Sequence, residues 1–283
     1  MEPLPAHEIN GAVAAALVED IGSGDATTLA TVPEQTMATA RLVARQELIV
    51  AGIDFAETAF RSLSSSVLFI SFCPAGRRVA AGMDIARVQG PARALLTAER
   101  VALNFVQRLS GIATLTGRFV DAIHGTGARI LDTRKTTPEW RRFEKYAVAC
   151  GGGKNHRFGL FDQILIKDNH LVALRAEKPN PIAAAVQRAR AAYPALQVEV
   201  EADTLEQVEQ AADAGADFIL LDNMPVTELR QAVQKIAGRA RTEASGGVSL
   251  ATVRAIAETG VDFISVGALT HSAPAADVAL DFD

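Results

Sequence analysis

Five cationic side chains crowd into one basic stretch of the sequence. Residues 129–167 carry nine Lys or Arg and four Asp or Glu, whereas residues 199–283 carry five and fifteen. The five lie at predicted strand ends or in glycine-rich loops: Arg134, Lys135, His156, Arg157 and Lys167. The alternative is an exposed basic loop, but the stretch lacks the amphipathic period of a solvated helix. Gathering cations around one concavity is costly unless an anion is bound, so we interpret the stretch as a site for a polyanionic ligand.

Two acidic residues end neighbouring predicted strands and should reach the same edge of a sheet. Glu201 closes the run that begins at Val198, and Asp222 follows the run that begins at Asp217. The alternative is that they are helix caps or ordinary surface acids. Carboxylates beside a phosphate-binding basic patch suit Mg²⁺ and ribose hydroxyls, because Mg²⁺ prefers oxygen ligands and is often completed by substrate phosphates.

Small residues follow the last two predicted strands. Ser245-Gly246-Gly247 comes after one strand, and Gly267-Ala268 comes after the next. Either pair alone is a weak signal, because glycine after a strand is common. Together they predict a phosphate site, since glycine lets backbone N–H groups approach an anion at this edge of a barrel.

Strand and helix patterns alternate through the final third of the chain. Short β-like runs cover 198–202, 217–221, 241–245 and 262–266, and helical periods cover 205–214, 226–237 and 250–258. Thr204 and Ser249 are predicted N-caps. Two earlier runs, 128–132 and 163–166, extend the series. This alternation is typical of parallel strands in βα units, so residues 112–270 are predicted to form an α/β barrel, complete or partial.

The first 111 residues lack this rhythm and are predicted to form a smaller α/β domain. It would contain a helix over 7–18, strands near 38–44, 67–72 and 85–89, and a helix over 92–109 that ends at Ser110-Gly111, a hinge. We expect the tail, 271–283, to pack on this domain. The predicted fold class is α/β: a small N-terminal α/β domain plus an open (partial) α/β barrel.

Composition and absent motifs exclude several function classes. A formal net charge of −5 and 15 Phe, Trp or Tyr among 283 residues argue against nucleic-acid binding. HExxH, CxxC, GxSxG and complete dinucleotide or Walker glycine motifs are missing from the sequence. No signal peptide or membrane span is evident, so we expect a cytoplasmic protein with no membrane partner. Cys73 and Cys150 are predicted to be reduced and structural.

The chain resembles the quinolinate phosphoribosyltransferase family over nearly its whole length. The most specific blocks are Asp132-Thr-Arg-Lys-Thr-Thr-Pro138, Gly151 to Arg157 and Ile166-Lys-Asp-Asn-His170. Further blocks match in order: 19–28, 99–100, 109–114, 144–147, 199–201, 221–223, 243–247 and 266–272. Two positions depart from the pattern. Glu139-Trp140 replaces Gly-Leu, which we expect to reshape the loop, and Ala149 replaces an arginine, which removes a positive charge.

The resemblance implies that quinolinate and phosphoribosyl pyrophosphate give nicotinate mononucleotide, pyrophosphate and CO2, in NAD biosynthesis. It implies that the five cationic residues hold quinolinate and pyrophosphate, with Lys135, Glu201 and Asp222 in catalytic roles. Glu201 and Asp222 would serve ribose and the cofactor Mg²⁺. Ser245, Gly246, Gly247, Gly267 and Ala268 would bind the 5-phosphate. The family forms dimers, so Arg100 is expected to reach the site from a partner subunit.

Three rival hypotheses remain at this point. A relative associated with molybdenum uptake shares the Thr-Arg-Lys-Thr and His-Arg blocks, but the Ile166–His170 block favours the quinolinate enzyme. A barrel lyase would use Lys167 as a Schiff base, although Asp168 follows it and cations surround it. A non-catalytic anion-binding barrel would explain the basic patch but would leave Glu201 and Asp222 without a role.

Overall fold

The computed structural model describes residues 3–283, which form two compact units. The first contains residues 3–117, Arg142–Gly152 and Ser272–Asp283, and the second contains Arg118–Arg141 and Gly153–His271. The strands are β1 (Met37–Ala44), β2 (Leu48–Ile49), β3 (Leu68–Ser71), β4 (Arg78–Val79), β5 (Asp84–Pro91), β6 (Arg129–Leu131), β7 (Ile164–Ile166), β8 (Val198–Ala202), β9 (Phe218–Asp222), β10 (Arg241–Ser245), β11 (Phe263–Ser265) and β12 (Val278–Phe282). The helices are α1 (Ala6–Ile21), α2 (Ala26–Thr31), α3 (Ile53–Leu63), α4 (Ala92–Ala122), α5 (Arg141–Cys150), α6 (Asp168–Ala173), α7 (Pro181–Ala192), α8 (Leu205–Asp213), α9 (Val226–Ile236), α10 (Val253–Ala257) and α11 (Ala268–His271).

The first unit contains a four-stranded antiparallel sheet in the order β12, β1, β5, β3. The tail strand β12 pairs along β1, with Leu42 opposite Leu280. Aromatic rings hold the helices together: Phe55 of α3 stacks on Phe105 of α4 at 4.7 Å and meets Phe143 of α5 edge-on at 5.1 Å. Such pairs add to the stabilisation that burial of apolar area already provides.

Helix α4 runs without interruption through the predicted hinge, so the prediction of a helix end at Ser110-Gly111 is wrong. Gly111 is needed for close packing instead, because a Cβ there would lie 2.0 Å from the Pro274 carbonyl oxygen. Ser110 Oγ accepts from the Ala51 N–H at 3.0 Å and donates to the Ala51 carbonyl at 3.1 Å. Although α4 has 31 residues, neither it nor another helix within 3–283 is long and apolar enough to cross a membrane.

The second unit contains a six-stranded parallel sheet in the order β6, β11, β10, β9, β8, β7. The end strands β6 and β7 do not pair with each other, so the barrel is open. The prediction of a small N-terminal α/β domain plus an open α/β barrel is confirmed. In a parallel sheet of this kind all carboxyl ends meet at one edge, which brings distant loops together.

Successive side chains of each strand lie on opposite faces of the sheet. One set packs against the surrounding elements, and the other faces the barrel interior. In β8, Val198, Val200 and Ala202 share one buried face, which places Glu199 and Glu201 on the other. Thr204 caps α8 as predicted, because its side chain accepts from the Gln207 N–H in a capping box.

The other predicted cap is wrong. Helix α10 begins at Val253 after a turn in which the Ser249 N–H donates to Thr252 Oγ1 at 2.9 Å. Thr252, and not Ser249, is the N-cap, and its side chain makes no capping bond.

Candidate active site

An open cavity of about 480 Å³ lies at the carboxyl ends of the parallel strands. Its walls are Thr133, Arg134, Lys135, His156, Arg157, Leu165, Lys167, Glu201, Leu220, Asp222, Asn223, Glu243, Ser245, Gly246, Gly247 and Ser265. Most of the sequence-predicted residues are therefore in one place. A larger cavity, about 550 Å³, lies at the opposite edge and is lined by none of them. The chemistry of the side chains, and not the size of the hollow, identifies the candidate site.

Three cations face the cavity without an acidic partner. Within residues 3–283, Arg134, Lys135 and Arg157 have no carboxylate oxygen within 4.0 Å. Arg134 Nε is buried, and its N–H has no hydrogen-bond acceptor. Arg157 Nη1 donates to the Gln163 carbonyl at 3.1 Å. Burial, followed by repulsion from Arg134, lowers the pKa of Arg157. A bound anion could accept a hydrogen bond from Arg134 Nε and would oppose the lowering of the Arg157 pKa. The geometry therefore favours an anionic ligand.

Two carboxylates face these cations. Glu201, near the end of β8, accepts through Oε2 from Lys167 Nζ, while Asp222, at the end of β9, accepts through Oδ2 from Asn223 Nδ2 at 2.7 Å. Glu201 is paired with a cation, which argues against its being a simple surface acid. The same pair disfavours the Schiff-base hypothesis, because a nucleophilic lysine must be neutral and Lys167 is held by a carboxylate.

His156 lies on a buried acidic cluster beneath the cavity. Its Nε2 is 3.2 Å from Glu199 and 3.5 Å from Glu243, and the ligand atoms of all three lie within 4.8 Å, a spacing that also suits a metal ion. Burial lowers the pKa of His156, the two glutamates raise it, and the Arg157 N–H that donates to Nδ1 favours the neutral ring. Burial and then repulsion from Glu243 raise the pKa of Glu199. Nδ1 accepts from the Arg157 N–H at 2.7 Å and therefore carries no proton, so the imidazole in this structure is the neutral tautomer, with its one proton on Nε2 between the ring and the carboxylates.

The glycine loop after β10 requires backbone conformations that other residues rarely adopt. Gly246 has φ +92° and Gly247 has φ +60°. A Cβ at Gly246 would lie 2.0 Å from Asn223 Oδ1, so the loop and the end of β9 fit only without a side chain there. The resulting backbone can bring its N–H groups close to an anion, as predicted for this segment.

Three predicted site residues lie outside the walls of this cavity. Gly267 sits beside Lys135, since a Cβ there would be 3.1 Å from Lys135 Cδ, and Ala268 begins α11. Arg100 lies on α4, in the first compact unit, with its side chain exposed. The roles expected for these residues stay predictions.

The departure at Glu139 places an L side chain in a backbone conformation that favours glycine. Glu139 has φ +66°, the left-handed conformation that a glycine adopts without cost and that an L side chain disfavours. The expected reshaping of this loop stays a prediction. The other departure, Ala149, lies half-buried in α5 of the first unit.

Sequence reasoning assigned no role to several residues that build the site. Glu199 and Glu243 hold His156, Asn223 fixes both Asp222 and Gly246, and Ser265 Oγ donates to Glu243. A signal for Glu199 was present, because alternation within a buried strand places it on the same face as Glu201. A charged residue inside a barrel strand needs a partner, and that requirement predicts a cluster.

Comparison with known proteins identifies the family. The family model of the quinolinate phosphoribosyl transferase N-terminal domain matches residues 25–110, and that of the C-terminal domain matches 112–281. The "Nicotinate-nucleotide pyrophosphorylase [carboxylating]" of Mycobacterium leprae is 46% identical over 274 residues, covering 94% of both chains, and a probable one of Bacillus subtilis is 44% identical over 265 residues, covering 93% of this chain and 90% of its own. The solved nicotinate-nucleotide pyrophosphorylase of Francisella tularensis superposes with a TM-score of 0.93 at 40% identity, covering 99% of this chain and 98% of that one. The chain therefore belongs to the quinolinate phosphoribosyltransferase family.

Proposed function

We propose that this protein transfers the phosphoribosyl group of phosphoribosyl pyrophosphate to quinolinate and releases pyrophosphate and CO2. The observation that carries the proposal is the composition of one cavity: three cations without acidic partners face two carboxylates and a left-handed glycine loop. This set matches a dicarboxylate, a pyrophosphate and a ribose 5-phosphate together. The molybdenum-associated alternative is not favoured, because the curated relatives are named as carboxylating pyrophosphorylases and quinolinate phosphoribosyltransferases.

The reaction needs positioning and charge stabilisation more than a nucleophilic side chain. The pyridine nitrogen forms a bond to C1′ of the ribose while the C1′–O bond to pyrophosphate breaks, and that electron pair leaves with pyrophosphate. The bond from C2 to its carboxylate then breaks, CO2 departs, and the pair stays on C2 beside the positively charged nitrogen until C2 takes a proton. Holding the two reactants in line and stabilising the leaving charge are the effects that this site can supply.

The cations divide by geometry between the two anionic reactants. The guanidinium groups of Arg134 and Arg157 suit ring carboxylates, because the planar fork of arginine can bind a carboxylate through two parallel hydrogen bonds. Lys135 is exposed in the loop after β6 and suits the pyrophosphate as a point charge. Ser245 and the two glycines that follow it suit the 5-phosphate.

The residues present fit Mg²⁺. Glu201 and Asp222 line one cavity, and each uses one carboxylate oxygen for a neighbouring side chain. Their other oxygens are hard donors of the type that Mg²⁺ prefers, and substrate phosphates commonly supply further ligands. When bound, Mg²⁺ would neutralise charge on the departing pyrophosphate. Without it, Glu201 would still orient Lys167 and Asp222 would still orient Asn223.

We further propose a homodimer in which Arg100 of one subunit serves the site of the other. Leu160 and Phe161 support a protein partner, because both are 72% exposed in the loop that follows Arg157. If Arg100→Ala and Lys135→Ala are each inactive, mixing them under subunit exchange should restore part of the activity. Failure despite demonstrated exchange would place Arg100 in its own chain's site. A cytoplasmic location remains part of this proposal.

The proposed function is tested by incubating the protein with quinolinate, phosphoribosyl pyrophosphate and Mg²⁺. Nicotinate mononucleotide should form, as detected by chromatography, and Lys135→Ala should abolish its formation. Binding of both ligands without a product would favour the non-catalytic anion-binding barrel instead.

A further inference from the structure

Two buried glutamates sit on interior faces of the barrel: Glu243 lines the cavity, and Glu199 lies behind its lining. Glu199 on β8 and Glu243 on β10 flank the central strand β9, and their side chains are 0% and 3% exposed. Burying two carboxylates is costly unless each is hydrogen-bonded. Their partners therefore indicate why the barrel keeps them.

One route leads from Glu199 through His156 to the backbone of Arg157. Glu199 Oε2 lies 3.2 Å from His156 Nε2, and the other ring nitrogen, Nδ1, accepts from the Arg157 N–H at 2.7 Å. Ser265 Oγ donates to Glu243, which approaches the same Nε2. Protein groups thus engage both ring nitrogens, and the imidazole is a rigid link between the barrel floor and the Arg157 turn.

A second route leads from Glu199 to the guanidinium end of Arg157. Gln163 Nε2 donates to Glu199 Oε2 at 3.0 Å, and the Gln163 carbonyl accepts from Arg157 Nη1 at 3.1 Å. The same carboxylate oxygen therefore fixes both the main chain and the side chain of Arg157. Fixing the main chain at one end of this flexible residue and the guanidinium at the other restricts its rotamers more than either contact alone would.

We infer that Glu199, supported by Glu243, is a positioning residue that sets the orientation of Arg157 for the substrate dicarboxylate. The inference rests on the proposed function and deepens it. It also reassigns His156, which the sequence placed among the substrate ligands: its ring orients Arg157, and the guanidinium of Arg157 makes the contact with the dicarboxylate. Arg157 is then a specificity-determining residue whose geometry depends on a carboxylate that the substrate does not reach.

The test distinguishes a positioning role of Glu199 from a role that depends on its negative charge. Glu199→Leu removes both acceptor bonds and should raise KM for quinolinate about tenfold or more, while KM for phosphoribosyl pyrophosphate changes less than about twofold. Glu199→Gln should retain most of the affinity, because an amide oxygen can replace Oε2. Glu206→Gln on the exposed surface of α8 is the matched control and should change neither constant. Equal rises in both KM values would overturn the inference.

A double-mutant cycle tests the route through Arg157. In an Arg157→Ala background, Glu199→Leu should raise KM for quinolinate by less than about threefold, because the group that it positions is gone. Full additivity would contradict the inference. If Glu199→Leu does not fold, Gln163→Met removes the second route from a half-buried position and should raise KM for quinolinate selectively; an unchanged KM would count against the inference.

Turnover by the unmodified protein decides the proposed function separately. If that protein is inactive, the proposed function fails, and the same cycle is read from quinolinate affinity by calorimetry. Loss of affinity in Glu199→Leu but not in Glu199→Gln would still support the positioning role. Equal affinities in all three proteins would refute it.

Discussion

Replacing Arg157 by alanine should change the choice of substrate, because this side chain is held in a cationic and partly desolvated position. Arg157 is half-buried, its guanidinium has one backbone acceptor at 3.1 Å, and burial together with Arg134 lowers its pKa. A hydrogen bond between charged groups contributes about 1.5–3 kcal/mol. At about 1.4 kcal/mol per tenfold change, Arg157→Ala should lower kcat/KM for quinolinate by about 10- to 150-fold.

Nicotinate should respond differently. Its single carboxylate leaves one of the site's cations without a partner, so the unmodified protein should use it poorly, and removing Arg157 deletes one such cation. The gap between the two acids should therefore narrow. The assay is steady-state kcat/KM for both acids, with Arg188→Ala, at an exposed position on α7, as the matched control. Equal losses on both acids, or an unmodified protein with comparable efficiency on both, would refute this reasoning.

Two further predictions concern the carboxylates and the strained loop. Asp222→Ala should raise KM for phosphoribosyl pyrophosphate about tenfold or more and that for quinolinate much less, because Asp222 is assigned to ribose and Mg²⁺. Glu139→Gly should raise the free energy of unfolding by about 0.5 kcal/mol, since relief of the left-handed φ outweighs the added unfolded-state entropy.

Each of these predictions has a contrasting result. Asp203→Ala, at an exposed position, should leave both KM values unchanged. If Asp222→Ala also left them unchanged, Asp222 would be an ordinary surface acid without a role in binding. Glu34→Gly, where φ is not left-handed, should destabilise slightly in urea unfolding; a similar loss for Glu139→Gly would contradict the strain argument.

The barrel strands were predictable because local signals and tertiary packing agree in them. Strands β8 and β10 have the predicted limits: β8 alternates apolar residues on one face, a helix cap follows it at Thr204, and glycines follow β10. The position of Glu201 and Asp222 at one sheet edge followed from the rule that parallel strands end together. The cluster of cations in one cavity follows from the same rule.

What the sequence could not predict depends on contacts between distant segments. From the local sequence Gly111 is predicted to break the helix, yet in the structure it allows the Pro274 carbonyl to approach α4 closely. The local sequence shows Glu199 only as an acidic residue in an alternating strand. Its contact with His156, which lies in a distant loop, forms only in the folded barrel. Asn223 fixes the Gly246 loop by a fit between the ends of two strands, which no local pattern encodes.

The most direct test of the central claim follows a labelled carboxyl group through one turnover. The protein is incubated with Mg²⁺, phosphoribosyl pyrophosphate and quinolinate carrying ¹³C in its 2-carboxylate, and CO2, pyrophosphate and the nucleotide are quantified by mass spectrometry. The account predicts labelled CO2 equal in amount to pyrophosphate, with an unlabelled nicotinate mononucleotide. A mononucleotide that retains the label, or pyrophosphate released without CO2, would contradict it.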